Sequence, residues 1–301
     1  VPWRWYSKSK RAARRGPAEA PVTVVPLTSE PGYELWPGFS PDGNYVAYAW
    51  DGGKQDDYHI YIRMIQGGAP VRLTANAQPE CCPAWSPDNR SIAFLRRLPT
   101  GRLGVFLIPP LGGTQRRLSE VVPPYNFLFY GLAWSPDSKF LVVSDRSSRG
   151  GPFALYRISV ETGERTALTS PPAGFEGDRQ PVLSPDGRAL AFIRGTASVL
   201  GDAYLLPLSE SFAANGEPRR LTFDSRYTSS PAWHPDGAQI FFSSGHTIQR
   251  PGLWSVAVSG AGRPQPLAFA GDGSLHPAFS RDGRRLVFAR MVTDISIWRI
   301  D

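Results

Sequence analysis

One short turn recurs six times along the 301 residues and leaves few folds open. It reads Phe39-Ser40-Pro41-Asp42-Gly43, Trp85-Ser86-Pro87-Asp88-Asn89, Trp134-Ser135-Pro136-Asp137-Ser138, Leu183-Ser184-Pro185-Asp186-Gly187, Trp233-His234-Pro235-Asp236-Gly237 and Phe279-Ser280-Arg281-Asp282-Gly283. The aspartates are 46, 49, 49, 50 and 46 residues apart. Proline presets φ, aspartate bonds backbone N–H groups just ahead of it, and glycine accepts positive φ, which is hairpin chemistry. The aspartates are thereby accounted for as scaffold rather than catalysis.

Each turn is followed by an apolar run, such as Tyr45-Val46-Ala47-Tyr48, Ile92-Ala93-Phe94 or Leu190-Ala191-Phe192. Short runs of this kind suit strands covered on both faces. A third strand comes next, as at Ile60-Tyr61-Ile62 and Ile297-Trp298-Arg299, then a brief fourth ending in leucine, as at Val71-Arg72-Leu73. Four antiparallel strands in about 40–50 residues make one propeller blade. The expected fold is therefore all-β: a six-bladed β-propeller of four-stranded antiparallel blades over residues 22–301. Only five fourth strands follow their own third strand. Val24-Val25-Pro26-Leu27-Thr28 has the same ending, so residues 22–28 are expected to pair with the last blade and close the ring.

Composition agrees. Glycine and proline number 30 each, which leaves little room for long helices. Two adjacent cysteines, Cys81 and Cys82, exclude a disulfide framework and a four-cysteine zinc site. They read either as a plain buried or channel-edge pair or as a redox or metal pair lacking further ligands. Of the net charge of +7, +5 lies in residues 1–20, so the folded part is nearly balanced and offers no basic face for nucleic acid. Residues 1–21 read as a basic linker or juxtamembrane-like tail. Trp3, Trp5 and Tyr6 beside the basic run look like the interfacial edge of a membrane span, which puts a membrane tether upstream of residue 1. An arbitrary cut in a longer chain would read the same way. A periplasmic or membrane-anchored location follows from the tether. The cytoplasm is the alternative, because basic flanks tend to stay there.

The turn, the proline–aromatic pair before it and the Leu-Thr strand ending resemble the TolB-type, WD-like propeller repeat across residues 22–301. More narrowly, PLTSEPGYELWPGFSPDG, HIYIRMIQGGAPVRLT, LTSPPAGFEGD and DISIWRID resemble propeller regions of large sensor and regulator proteins common in Acidobacteria. In that group the propeller typically lies C-terminal to a serine/threonine kinase or winged-helix domain, with a membrane span between. Leu132, Leu183 and Arg281 depart from the repeat pattern.

No catalytic constellation stands out. His59, His234, His246 and His276 lack helix-face metal spacing, and neither a G-x-S-x-G elbow nor a phosphate-binding G-x-x-x-x-G-K-[ST] loop occurs. The reading is a non-enzymatic module without cofactor or metal, with a protein or peptide partner or a small ligand. The alternative is the accessory propeller of a serine peptidase or hydrolase. Ligands usually meet a propeller at its axial face, which the residues entering each innermost strand reach. By alignment these include Glu34, Trp36, Glu80, Cys82, Phe129, Tyr130, Asp178, Arg179, Gln180, Ser230 and His276. The mix of acids, one base and aromatics suits a peptide better than a nucleic acid. The same residues could equally plug the channel with hydrogen-bonded side chains and water.

Overall fold

The computed structural model describes residues 22–53, 57–124, 127–148, 150–197, 199–260 and 262–292. The basic tail and the third strand expected at 297–299 lie outside these. The described chain is all-β apart from two single-turn 3-10 segments, Phe127–Phe129 and Ala268–Ala270. No described helix is long and apolar enough to cross a membrane.

The first sheet contains β1 (Glu34–Phe39), β2 (Tyr45–Trp50), β3 (His59–Met64) and β4 (Val71–Arg72). The second contains β5 (Glu80–Trp85), β6 (Ile92–Arg97), β7 (Leu103–Ile108) and β8 (Arg116–Val121). In the third are β9 (Leu132–Trp134), β10 (Phe140–Asp145), β11 (Ala154–Ser159) and β12 (Arg165–Ala167). The fourth holds β13 (Gly177–Leu183), β14 (Ala189–Ala197), β15 (Leu200–Pro207) and β16 (Arg219–Arg220). The fifth holds β17 (Arg226–Trp233), β18 (Gln239–Gly245), β19 (Gly252–Ala257) and β20 (Gln265–Pro266). The sixth has β21 (Ser274–Phe279) and β22 (Leu286–Arg290) among the described residues. Each sheet is an antiparallel meander, and a short pairing of Leu200 and Gly201 with Tyr227 and Arg226 joins the fourth to the fifth.

The turns form as the sequence dictates. In the first, Ser40 Oγ donates to Asp42 Oδ1 at 2.5 Å, the Asn44 N–H donates to the same oxygen at 3.0 Å, and the Tyr45 N–H donates to Ser40 Oγ at 2.9 Å. Central strands β2, β6, β10 and β14 are buried along most of their length, consistent with sheets covered on both faces. Tryptophans of the turn motif stitch neighbouring sheets together: Trp134 Nε1 donates to the Ala84 carbonyl at 2.9 Å and Trp233 Nε1 to that of Val182 at 3.1 Å.

The inner strands β1, β5, β9, β13, β17 and β21 each pack on the next, and β21 also packs on β1. Leu275 and Ala289 of the sixth sheet belong to the same buried cluster as Leu35, Ala47 and Phe94. Residues 22–28 carry no strand of their own, and their expected partner lies outside the described residues.

The Leu-Thr strand endings have a specific task. Thr74 Oγ1 accepts the buried Ile60 N–H at 3.0 Å and donates to Glu80 Oε2 of the next sheet. Thr169 accepts from Leu155 at 2.9 Å, and Thr222 accepts from Ala203 at 3.0 Å while donating to Asp202. Thr28 donates to Glu34 Oε2, six residues on, as Thr74 does to Glu80.

Candidate functional site

In five of the six inner strands the residue before proline makes a β-bulge. Trp36, Cys82, Gln180, Ser230 and His276 have φ of 53, 60, 52, 52 and 52°. The ladder register skips at each: Leu35/Gly38, Cys81/Ala84, Arg179/Val182, Ser229/Ala232 and Leu275/Ala278. The following proline has no N–H for the ladder, so the strand is already broken at this point. A left-handed residue in a bulge re-aims its side chain, here at five equivalent positions. The third sheet has Gly131-Leu132 instead. A Cβ on Gly131 would lie 3.3 Å from the Gln180 backbone, so a side chain there would crowd the neighbouring strand.

The bulge residues meet one another. The Trp36 and His276 rings lie 5.1 Å apart. Gln180 Oε1 accepts the Ser230 N–H at 2.9 Å, and its Nε2 donates to Ser230 Oγ at 3.3 Å. Cys82 Sγ and Cys81 Sγ are 2.7 Å apart, and both residues are free thiols. Burial pushes the Cys82 thiol well up, with Cys81 beside it adding to the shift, so it stays protonated and unreactive. This fits the buried-pair reading.

Into this mouth the chain inserts its own 3-10 turn, Phe127–Phe129. Phe127 packs edge-on against Trp36 at 5.8 Å and near Tyr58 at 6.1 Å. The Leu128 carbonyl accepts from Gln180 Nε2 at 2.9 Å and is also bonded by His276. Phe129 sits 4.1 Å over the Arg179 guanidinium and 6.2 Å from the Tyr227 ring. Tyr130 follows the turn, its hydroxyl pushed up to about 12 by burial.

The expected axial residues thus divide. Trp36, Cys82, Gln180, Ser230 and His276 are the bulge residues themselves, while Phe129 ends the inserted turn and Tyr130 follows it. Arg179 lies beneath Phe129. Glu80 and Asp178 are engaged within the protein. Glu80 takes Arg96 at 2.7 and 2.5 Å, and Asp178 takes Arg194 at 2.6 and 2.9 Å. Burial lifts the Asp178 carboxyl above its ordinary range against the pull of Arg194. Glu34 accepts from Thr28 with one oxygen and leaves Oε1 buried without a partner among the described residues; burial raises its carboxyl too.

The Trp36 Nε1 donor and His276 Nδ1 are also buried without a partner among the described residues. Burial drives the His276 pKa down to about 3, so the imidazole is neutral and Nδ1, opposite the bonded nitrogen, is an acceptor. Two neighbouring rings thereby offer one donor and one acceptor. Tyr58, Phe127 and the Leu128 carbonyl escape motif reading. The signal for the turn is the apolar run 127–130, standing just before the one inner strand that lacks the proline. Among the described residues no group of three or more His, Cys, Asp or Glu could hold a metal.

The family profile described as "TolB beta propeller domain" matches residues 23–201, more than half of the chain. The chain belongs to the TolB β-propeller family. It is 28% identical over 170 residues to the Tol-Pal system protein TolB of Francisella tularensis subsp. mediasiatica, covering 56% of this chain and 37% of that protein. It is 27% identical over 218 residues to the uncharacterized peptidase YuxL of Bacillus subtilis, covering 70% of this chain and 29% of YuxL. The chain therefore spans well under half the length of either relative. The solved structure of a putative TolB from Agrobacterium tumefaciens superposes with a TM-score of 0.70 at 22% identity, over 87% of this chain and 91% of that one, a likeness of fold.

Proposed function

We propose that this TolB-type chain is a six-bladed ring, completed by residues 22–28, that binds a protein or peptide segment at its axial mouth without catalysing a reaction. It would serve as the sensory or interaction module of a larger bacterial signalling protein, periplasmic or tethered to a membrane. The carrying observation is the unpartnered pair Trp36 Nε1 and His276 Nδ1, a buried donor beside a buried acceptor. A peptide group supplies the complementary acceptor and donor, and buried polar atoms left unpaired favour whatever satisfies them. The inserted turn supports the same chemistry, because two bulge side chains already hold a backbone carbonyl, that of Leu128.

Selection from a displayed peptide library tests this. Binders should weaken by about tenfold or more with Phe127→Ala, since aromatic anchors carry a large share of interface energy. They should be unaffected by Leu111→Ser, at a 93% exposed position on a β7–β8 hairpin outside the mouth. Selected peptides that respond to neither change would place binding elsewhere and defeat the axial reading. Alkaline phosphatase fused after residue 301 of the native full-length protein reports the compartment: an active fusion supports the periplasm, an inactive one the cytoplasm.

YuxL motivates a second reading, the accessory propeller of a peptidase. Its name and its 218-residue match favour it; the chain's 29% share of YuxL leaves the rest of that protein outside the match. A serine-hydrolase segment in the same native polypeptide would support it, and an adjoining kinase or winged-helix segment would exclude it.

A further inference from the structure

Three buried arginines stand near the inner strands, and one is held unlike the others. Arg96 and Arg194 each make two short bonds to a carboxylate, at 2.5–2.9 Å. Arg179 is only 3% exposed, yet its Nη1 reaches Glu176 Oε2 at 3.4 Å and its Nη2 reaches the Leu200 carbonyl at 3.5 Å, both at the outer limit of a hydrogen bond. Its Nε has no partner among the described residues. A guanidinium carries five N–H donors in a planar fork, and burying one without a matched anion is costly. Burial pulls its pKa down to about 10, with the Glu176 carboxylate drawing it back up, so it stays charged at neutral pH.

The surroundings are shaped for this side chain. Gly195 and Gly201 face each other across the β14–β15 ladder. A Cβ on Gly195 would sit 2.2 Å from Nη1, and one on Gly201 3.3 Å from Nη2. The Phe129 ring lies 4.1 Å from the guanidinium carbon. Tyr227, 6.2 Å from that ring, accepts from Ser229 Oγ at 2.9 Å with its hydroxyl. Across the ladder from Ser229, the fully buried Ser243 hydroxyl has no partner among the described residues.

The geometry points to a carboxylate-binding subsite: a ligand carboxylate displaces the Phe129 ring and takes the Arg179 fork in two parallel bonds. This rests on the axial-mouth reading and names the chemistry the mouth selects. A monoanion fits better than a phosphate dianion. With the Glu176 carboxylate already 3.4 Å from the one cation, added negative charge goes uncompensated, and a monoanion adds the least of it.

The probes are benzoate, whose ring can take the place of Phe129, its neutral isostere benzamide, and inorganic phosphate. Each is titrated calorimetrically into the whole chain and into Phe129→Ala, Arg179→Lys and Arg179→Gln. Benzoate is expected to bind about tenfold or more tighter than benzamide, the difference a charge-assisted bidentate pair supplies. Phe129→Ala should tighten benzoate further, Arg179→Lys should retain part of the preference, and Arg179→Gln should abolish it. Equal binding of benzoate and benzamide by both the wild type and Phe129→Ala would overturn the inference, as would a preference surviving in Arg179→Gln or phosphate binding tighter than benzoate. Should Arg179→Gln not fold, the Phe129→Ala comparison decides alone. Library peptides that still depend on Phe127 while benzoate shows no preference would leave the axial site standing and remove this subsite.

Discussion

The six aspartates of the repeated turn read as scaffold in the sequence, and their bonds in the structure agree. Five follow a serine or, at 280, the equivalent serine of Ser-Arg-Asp, whose hydroxyl donates to the carboxylate at 2.5–2.6 Å. For Asp42, Asp186 and Asp282 that serine bond is the leading cause of a pKa held below the ordinary value, with the backbone N–H two residues on as the next. At Asp236, beside His234, the Ala238 N–H leads instead. A carboxyl lowered on folding contributes stability that is full above its unfolded value and is lost as pH falls through the folded one. The melting temperature should therefore fall as pH drops below about 4. Replacing Asp42, Asp186 and Asp282 together with asparagine should flatten that fall, as read by thermal unfolding between pH 5 and 2. An unchanged acid slope in the triple variant would assign acid lability to other carboxylates. This much was legible in the sequence because every partner lies within about five residues of the aspartate.

Strands and their order were equally legible, since apolar runs and turn residues are local signals. The bulges were not. Trp36, Cys82, Gln180, Ser230 and His276 share only the proline that follows, and a pre-proline position ordinarily signals extended backbone rather than the left-handed region. Nor could spacing show that Glu80 and Asp178 are consumed by arginines sixteen residues on, because that pairing needs the cross-strand register. The Leu-Thr ending was visible as a pattern, but its use was not. Thr74 satisfies the N–H of fully buried Ile60 and holds Glu80, so one hydroxyl joins β3 to the inner strand of the next sheet. Thr74→Val keeps the shape and removes the hydroxyl, leaving a buried donor unsatisfied. It should cost about 2–3 kcal/mol in denaturant unfolding. A change below about 0.5 kcal/mol would show that neighbouring groups or water replace the bond. The fifth sheet shows an alternative. Alanine follows Leu267 there, and Ser274 Oγ instead donates to the Ala270 carbonyl at 2.8 Å.

At the scale of the whole molecule the question is what holds the two ends together. The sixth sheet already rests on the first: Trp36 meets His276, and Arg285 Nη1 donates to the Gly43 carbonyl at 3.1 Å, across 242 residues of sequence. Those contacts join inner edges. Thr28 supplies the argument for the outer side, because its bond to Glu34 repeats the bond of Thr74 to Glu80 at the same six-residue interval. A threonine in that place elsewhere ends a fourth strand, which supports the proposal that residues 22–28 complete the sixth sheet. Removing residues 1–29 should then lower the melting temperature by at least about 5 °C, the scale expected for losing a few kcal/mol in a chain of this size. Removing residues 1–20 should leave it nearly unchanged. The point variant Thr28→Val separates the latch from the strand. If the strand completes the sheet, the variant should recover most of the stability lost in the long deletion, since the backbone pairing survives. Should Thr28→Val match the long deletion, the hydroxyl alone would be the tie. If both truncations melt with the intact chain, the ring is held by its inner strands and the N-terminal segment has no part in closing it.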